Sequence, residues 1–265
     1  MSVDATQSDA PVALVTAEIR HPATDSLTDA ASAALKALIA DQLPIQRQAQ
    51  DAAWAMGPSG SPTLTTERFV RYVNRDGTLA ASMRSQAISV ETTAYSDFGT
   101  LLEVVTLVLD GRAEVSPIVA VERVGLRYVV ELRPPADGDG PVEWADWIAE
   151  PLLGPQRIAP EGLTPTELQG AAVYQETQPD KSMIVRYGTG VGQAIDPSYY
   201  MRRTLPLDPG PFFLLDIDSF WAPAGPAPDY DRAAVLSTLQ ELCRPAHSAF
   251  REMLSGRLRD ELLIR

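Results

Sequence analysis

The stretch Arg123-Val124-Gly125-Leu126-Arg127-Tyr128 decides how this chain is read. Successive side chains of a β-strand point to opposite faces. Arg123, Gly125 and Arg127 therefore share one face and Val124, Leu126 and Tyr128 the other, which marks the middle of a long half-buried strand from Val119 to Leu132. Upstream, Arg68 to Asn74, Thr78 to Ser85 and Ala87 to Thr93 alternate in the same way, with a turn at Asp76-Gly77, and Pro11 to Arg20 reads as a first strand. Ser26 and Asp29 resemble a capping box for a helix whose apolar residues, Ala30, Ala34, Leu35, Leu38 and Ile39, recur at helical spacing until Pro44. The Gly57-Pro58-Ser59-Gly60-Ser61-Pro62 stretch reads as a loop, and Ser96 or Asp97 caps a second helix that Asp110-Gly111 closes after Leu109.

Downstream, Val142 to Leu153 predicts a short tryptophan-bearing helix. Leu168 to Glu176 and Lys181 to Gly188 predict a hairpin around Gln178-Pro179-Asp180, and Pro211 to Phe220 predicts another strand. From about Tyr230 to Leu263, Val235, Leu239, Leu242, Ala246, Phe250, Met253, Leu254, Leu258 and Leu262 keep helical periodicity, with a kink expected at Pro245. The expected fold class is α+β, with antiparallel sheets and helices on one side, which buries both apolar faces. Residues 1–135 form an N-terminal α/β half and 142–265 a C-terminal half ending in a long helix; 136–141 link them, and the halves pack as one unit. Whether the halves are two versions of one β-α-β-β-(β)-α unit is open.

A chain of 265 residues with 45% hydrophobic and 22% charged residues has enough apolar material for a real core. Its 35 acidic against 22 basic residues give a formal charge of -13, whose field repels a phosphate backbone and disfavours nucleic acid as a partner. Arg251, Arg257, Arg259 and Arg265 gather near the C-terminus, but Glu252, Asp260 and Glu261 interleave with them as on a solvated helix face. Cys243 has no second cysteine to pair with and fits a reducing compartment. Met1 to Ala10 carries acids instead of the basic start of a signal peptide, and Leu101 to Leu109 is short and holds Glu103. The expected location is the cytoplasm, with no membrane contact.

Few residues suggest chemistry. Gly188-Thr189-Gly190-Val191-Gly192 invites a phosphate-loop reading, but Gln193 stands where a third fingerprint glycine is needed, and a glycine-rich strand exit fits better. Asp216 and Asp218 alternate along one strand and share a face, within reach of one hard cation, yet no third ligand is evident nearby. The chain has two histidines, which rules out sites needing more. His247 follows the Pro245 kink next to the apolar stripe, where a structural histidine competes with an acid or base, and Cys243 one turn earlier reads as a buried thiol. There is no Gly-x-Ser-x-Gly. Arg123 and Arg127 either hold an anion or a partner's carboxylate in a fork, or bridge to Asp216 or Asp218 on a neighbouring strand.

The early strand ending near Glu18, the Tyr95-Ser96-Asp97-Phe98 lead into a helix, the Gly125-Leu126-Arg127-Tyr128 strand, the Leu215-Asp216-Ile217-Asp218 strand and the terminal His247-x-x-Phe250 resemble a sporadically distributed family of uncharacterised prokaryotic proteins of about this length. The resemblance spans nearly the whole chain. Phe98 stands for a different aromatic often found there, and Val129 for an asparagine that often follows the Arg-Tyr pair. The resemblance implies no activity, cofactor or catalytic residue; the family's patchy occurrence implies accessory loci such as defence or toxin-antitoxin systems.

The expected function is a non-enzymatic interaction or regulatory protein that engages another protein, such as a neighbouring gene product. No catalytic residue, cofactor or metal is assigned. Arg123, Arg127, Tyr128, Asp216, Asp218 and His247 are the candidate ligand- or partner-binding residues, with Asp216 and Asp218 the only metal candidates. The alternative is a small-ligand-binding or metal-dependent enzyme using these Arg, Asp and His residues in a cleft between the halves. The oligomeric state is open, a homodimer included.

Overall fold

A computed structural model describes residues 12–56, 62–134, 142–154, 158, 160–163, 165–176, 180–195, 200–203 and 208–263, with the backbone alone at 52–56, 62–65 and 261–263. The Gly57–Ser61 part of the expected loop, the linker 136–141 and most of the Gln178-Pro179-Asp180 turn lie outside these residues. The strands are β1 (Val12–Arg20), β2 (Ile45–Met56), β3 (Pro62–Val73), β4 (Leu79–Met83), β5 (Ala87–Thr92), β6 (Arg123–Leu132), β7 (Gln169–Gln175), β8 (Lys181–Gly192) and β9 (Gly210–Trp221). The helices are α1 (Asp29–Ile39), α2 (Phe98–Val115), α3 (Arg232–Met253) and α4 (Gly256–Leu263).

All nine strands join one antiparallel sheet in the order β2-β3-β4-β5-β1-β6-β9-β8-β7. The fold is therefore mixed α+β and mostly sheet. The pairing of β6 with β9 carries the sheet across from the residues before 134 to those after 142. Among the described residues the two segments differ in content: six strands and two α-helices come first, three strands and two α-helices follow.

One face is apolar. Val15, Ala17 and Ile19 of β1, Val124, Leu126 and Tyr128 of β6, and Leu215 and Ile217 of β9 bury against Val104, Val105 and Val108 of α2 and Leu239, Leu242 and Ala246 of α3. Each fully buried Leu or Ile contributes about 1.5–3 kcal/mol by leaving water. Helix α1 packs on α2, where Gly111 does not end the helix as expected. It lets α1 approach, since a β-carbon there would stand 2.8 Å from Leu35 Cδ1. The cap of α1 is Thr28, which accepts from the Ala31 N–H, and not Ser26; Asp97 caps α2 through the Thr100 N–H at 2.8 Å.

The expected single terminal helix is two. Pro245 sits inside α3 without ending it, and the break comes at Leu254, whose backbone is extended (ψ 151). There the chain bonds the Trp144–Leu153 segment instead: Ala149 N–H donates to Met253 O at 2.9 Å, and Ser255 N–H to Trp147 O at 2.9 Å. Ser255 then restarts the helix by accepting from Leu258 N–H. The tryptophan segment itself is two 3-10 turns, Trp144–Asp146 and Glu150–Leu153, and not an α-helix.

Candidate functional site

The second face of the sheet carries the charges. Strand parity puts Thr16, Glu18 and Arg20 of β1 beside Arg127, Gly125 and Arg123 of β6, and these beside Asp218 and Asp216 of β9. Arg123 donates from Nη2 to both oxygens of Asp218 at 2.8 and 2.9 Å and from Nη1 to Glu18 at 3.0 Å. Glu18 also accepts from Arg20 Nε at 2.7 Å, and the Arg123 guanidinium lies over the Phe220 ring at 4.5 Å. Arg127 donates to Asp216 in a fork at 2.6 and 2.9 Å, and Arg186 of β8 reaches the same carboxylate at 3.6 Å. Fork geometry of this kind gives direction as well as energy to an ion pair.

These side chains floor an open cavity of about 480 Å³. Arg20, Arg84, Arg123 and Arg127 are balanced there by Glu18, Glu91, Asp216 and Asp218, and Leu14, Val129, Ala194, Ile195 and Leu214 form its apolar end. Arg84 pairs with Asp51, and Glu91 accepts from the Tyr200 hydroxyl. The apolar end is built by described residues between β8 and β9: Ile195 and Met201 pack on Leu14, Val73, Ala80 and Val129. Glu131 holds their chain neighbours. Its carboxylate, 0% exposed, accepts from Arg133 Nε at 2.5 Å, Arg203 Nη1 at 2.8 Å and Ala194 N–H at 2.8 Å. Burial raises its pKa, but the bonds from Ala194, Arg133 and Arg203 together outweigh burial and hold it below the usual carboxylate value.

No family model matches this chain, and no curated protein matches its sequence.

The six residues singled out from the sequence divide between the faces. Arg123, Arg127, Asp216 and Asp218 lie together on the charged face; Tyr128 and His247 lie on the helix-covered face. A single cavity that uses His247 with Asp216 and Asp218 does not exist among the described residues, because β6 and β9 separate them. On its own face His247 meets the Tyr128 ring at 5.4 Å and Cys243 Sγ at 3.7 Å, and Tyr128 meets Tyr95 edge-on at 5.7 Å. The cavity beside them is about 20 Å³, room for about one water. Burial lowers the His247 pKa, raises that of the Cys243 thiol and raises that of the Tyr95 phenol to about 12. A neutral imidazole beside a protonated thiol is the reverse of an activated nucleophile pair.

Asp216 and Asp218 each take two hydrogen bonds from a guanidinium, so cations already fill the positions a metal would need; among the described residues no group of three or more His, Cys, Asp or Glu is placed for one. Gly188 is a packing residue: a β-carbon on it would stand 2.3 Å from the carbonyl oxygen of Leu168, the residue just before β7. The glycine run 188–192 is the end of β8 and not a loop before a helix. Sequence reasoning missed Glu18, Arg20, Arg84 and Glu91. The signal was present in β1, where Thr16, Glu18 and Arg20 alternate with Val15, Ala17 and Ile19.

Proposed function

We propose that this chain is a non-enzymatic interaction or regulatory protein that engages another protein, such as a neighbouring gene product, through the charged face of β1, β6 and β9. The observation that supports this reading is the mutual pairing of that face: each lining arginine and carboxylate has a named counter-group in the fold. General acid–base or nucleophilic catalysis requires a group poised to give or take a proton at the reacting atom. Paired charges held in register instead present a fixed pattern of positive and negative groups, which steers and orients a complementary partner. Arg127 and Arg186 stand half-exposed on Asp216 and match an acidic group of that partner. A place in a defence or toxin-antitoxin locus belongs to the same proposal and rests on the family resemblance.

The test is co-expression with the genomic neighbours, followed by native mass spectrometry of the wild type and of an Arg127→Glu, Arg186→Glu double variant. A stoichiometric complex that the double variant loses supports the proposal. Absence of any stoichiometric protein partner in the native host counts against it. A second reading, small-ligand binding, is favoured by the cavity volume, which falls within the range of about 300–1,000 Å³ common for ligand pockets. A retained metabolite in the same spectra selects it.

A further inference from the structure

Where α1 and α2 meet, a full positive charge is buried without a counter-ion. Arg112 follows Gly111, the residue that lets α1 approach, and lies one turn after the core residues Val108 and Leu109. It is 3% exposed, joins no ion pair among the described residues, and its Nη1 has no hydrogen-bond acceptor. Arginine stays protonated inside proteins, and a buried charge is costly unless it is paired. Arg71, also buried, shows the usual solution: its Nε donates to Ser82 Oγ at 3.0 Å and its guanidinium lies over the Tyr200 ring.

Two more buried polar atoms without partners lie in the same seam. The Arg112 charge acts on the ring of His21, just after β1, and on the hydroxyl of Tyr72 in β3, and that hydroxyl donates to Ser32 O of α1 at 2.9 Å. Ser32 Oγ and His21 Nε2 are both buried and unbonded. Glu122, just before β6, also acts on His21 but is itself exposed. We propose that this seam binds one small monovalent inorganic anion, chloride, with Arg112 Nη1 as the principal donor, Ser32 Oγ as the second and His21 Nε2 as the third when its ring is protonated.

The chemistry selects the ligand. One guanidinium is neutralised by one negative charge, whereas a dianion would bury a surplus. A water molecule could bond these atoms but would leave the charge uncompensated. Arg112, Ser32 and His21 are at most 3% exposed, which suits a monatomic ion better than a carboxylate or phosphate. A one-atom ligand binds weakly, with a dissociation constant on the order of 10 mM. His21 adds a proton linkage. Its Nδ1 already donates to Pro22 O, so only Nε2 can gain a proton toward the anion. A bound anion favours the charged ring, and affinity therefore rises as pH falls. Arg112 and Ser32 belong to the helix layer, so the site does not depend on the charged face of the sheet.

Thermal melts in sodium chloride and in sodium gluconate, each at about 200 mM, test the proposal, since only an ion that binds the folded state raises its stability by mass action. The wild type is expected to melt about 3 °C higher in chloride, and the difference to grow between about pH 7.5 and about pH 5.5. Arg112→Met replaces an uncompensated charge by an apolar chain and is expected to fold and to lose the chloride difference. Ser32→Ala, mild in a helix, shrinks it. His21→Asn keeps a donor for Pro22 O and retains the chloride difference without its pH dependence. Anomalous diffraction from wild-type crystals grown in bromide is expected to place an ion within hydrogen-bonding reach of Arg112 Nη1. An equal chloride difference in the wild type, Arg112→Met and Ser32→Ala, or crystals with water in place of bromide at Arg112, overturns the proposal.

Discussion

The guanidinium of Arg123 lies over Gly125, so that a β-carbon on residue 125 would stand 2.3 Å from Arg123 Nη1. This is how one arginine reaches Glu18 on β1 and Asp218 on β9 at once, from the strand between them.

Gly125→Ala is therefore expected to move Arg123 off at least one acid while leaving the fold intact, since the clash is with the end of a flexible side chain. Partly exposed ion pairs contribute about 0.2–1 kcal/mol each. Urea denaturation of Gly125→Ala, Asp218→Ala and the double variant checks this. The expected outcome is marked non-additivity, because the second change removes a partner that the first has already displaced.

Arg127 and Asp216 predict an asymmetry. The Asp216 side chain is 5% exposed and that of Arg127 49%. Asp216→Asn leaves a cation that water can still reach and costs about 1 kcal/mol. Arg127→Ala strands a buried carboxylate with only Arg186 at 3.6 Å and costs more, about 2–3 kcal/mol. Equal losses in chemical denaturation would contradict this account.

Glu131→Gln keeps the shape of a fully buried carboxylate but removes the charge that Arg133 and Arg203 face. Breaking a buried pair in this way costs about 3–5 kcal/mol. Limited proteolysis is expected to cut the variant first between β8 and β9, near Ala194, before the rest of the sheet is lost.

Acid sensitivity is expected in two windows. Burial lowers the pKa of both His21 and His247; His21 donates from Nδ1 to Pro22 O at 2.8 Å and leaves Nε2 buried without a partner. The unfolded chain then binds protons that the folded one refuses, so stability is level above about pH 6.5 and falls as pH drops below it, by up to about 1.4 kcal/mol per unit for each histidine. Glu131, whose folded pKa is lowered, contributes stability that is present above the ordinary carboxylate pKa and lost as pH falls through its folded value. Thermal melts across about pH 2–8 separate the two, and His247→Asn is expected to make only the upper fall shallower, His21 keeping its share.

Alternation made β1, β5 and β6 legible, because one face of each is buried under helices. It placed Arg123 and Arg127 on one side and Tyr128 on the other, as in the structure. Strand β2 was not legible: Gln46, Arg47, Gln48, Gln50 and Asp51 offer no apolar alternation, and its place comes from pairing along its whole length with β3. Nor was the break at Leu254, which depends on backbone groups of residues 147–149 that are distant in sequence. The separation of His247 from Asp216 was readable in principle. Its helix stripe, with Cys243 and Phe250, belongs to the apolar face of the sheet, whereas Asp216 and Asp218 alternate with Leu215 and Ile217 and so point the other way.

Strand β1 lies between β5 and β6, two partners that are synthesised well after it. At translation speeds of about 5–20 residues per second, the first of them follows seconds later, and pairing over such sequence separations is intrinsically slow. During that interval Val12–Arg20 is a nascent segment with strong self-association tendency, and Glu18 and Arg20 are the only charges within it. The same two side chains that later join Arg123 in an ion-pair chain thus act earlier as gatekeepers. Neutralising both is expected to lower the yield of soluble chain on expression more than it lowers the stability of the molecules that do fold.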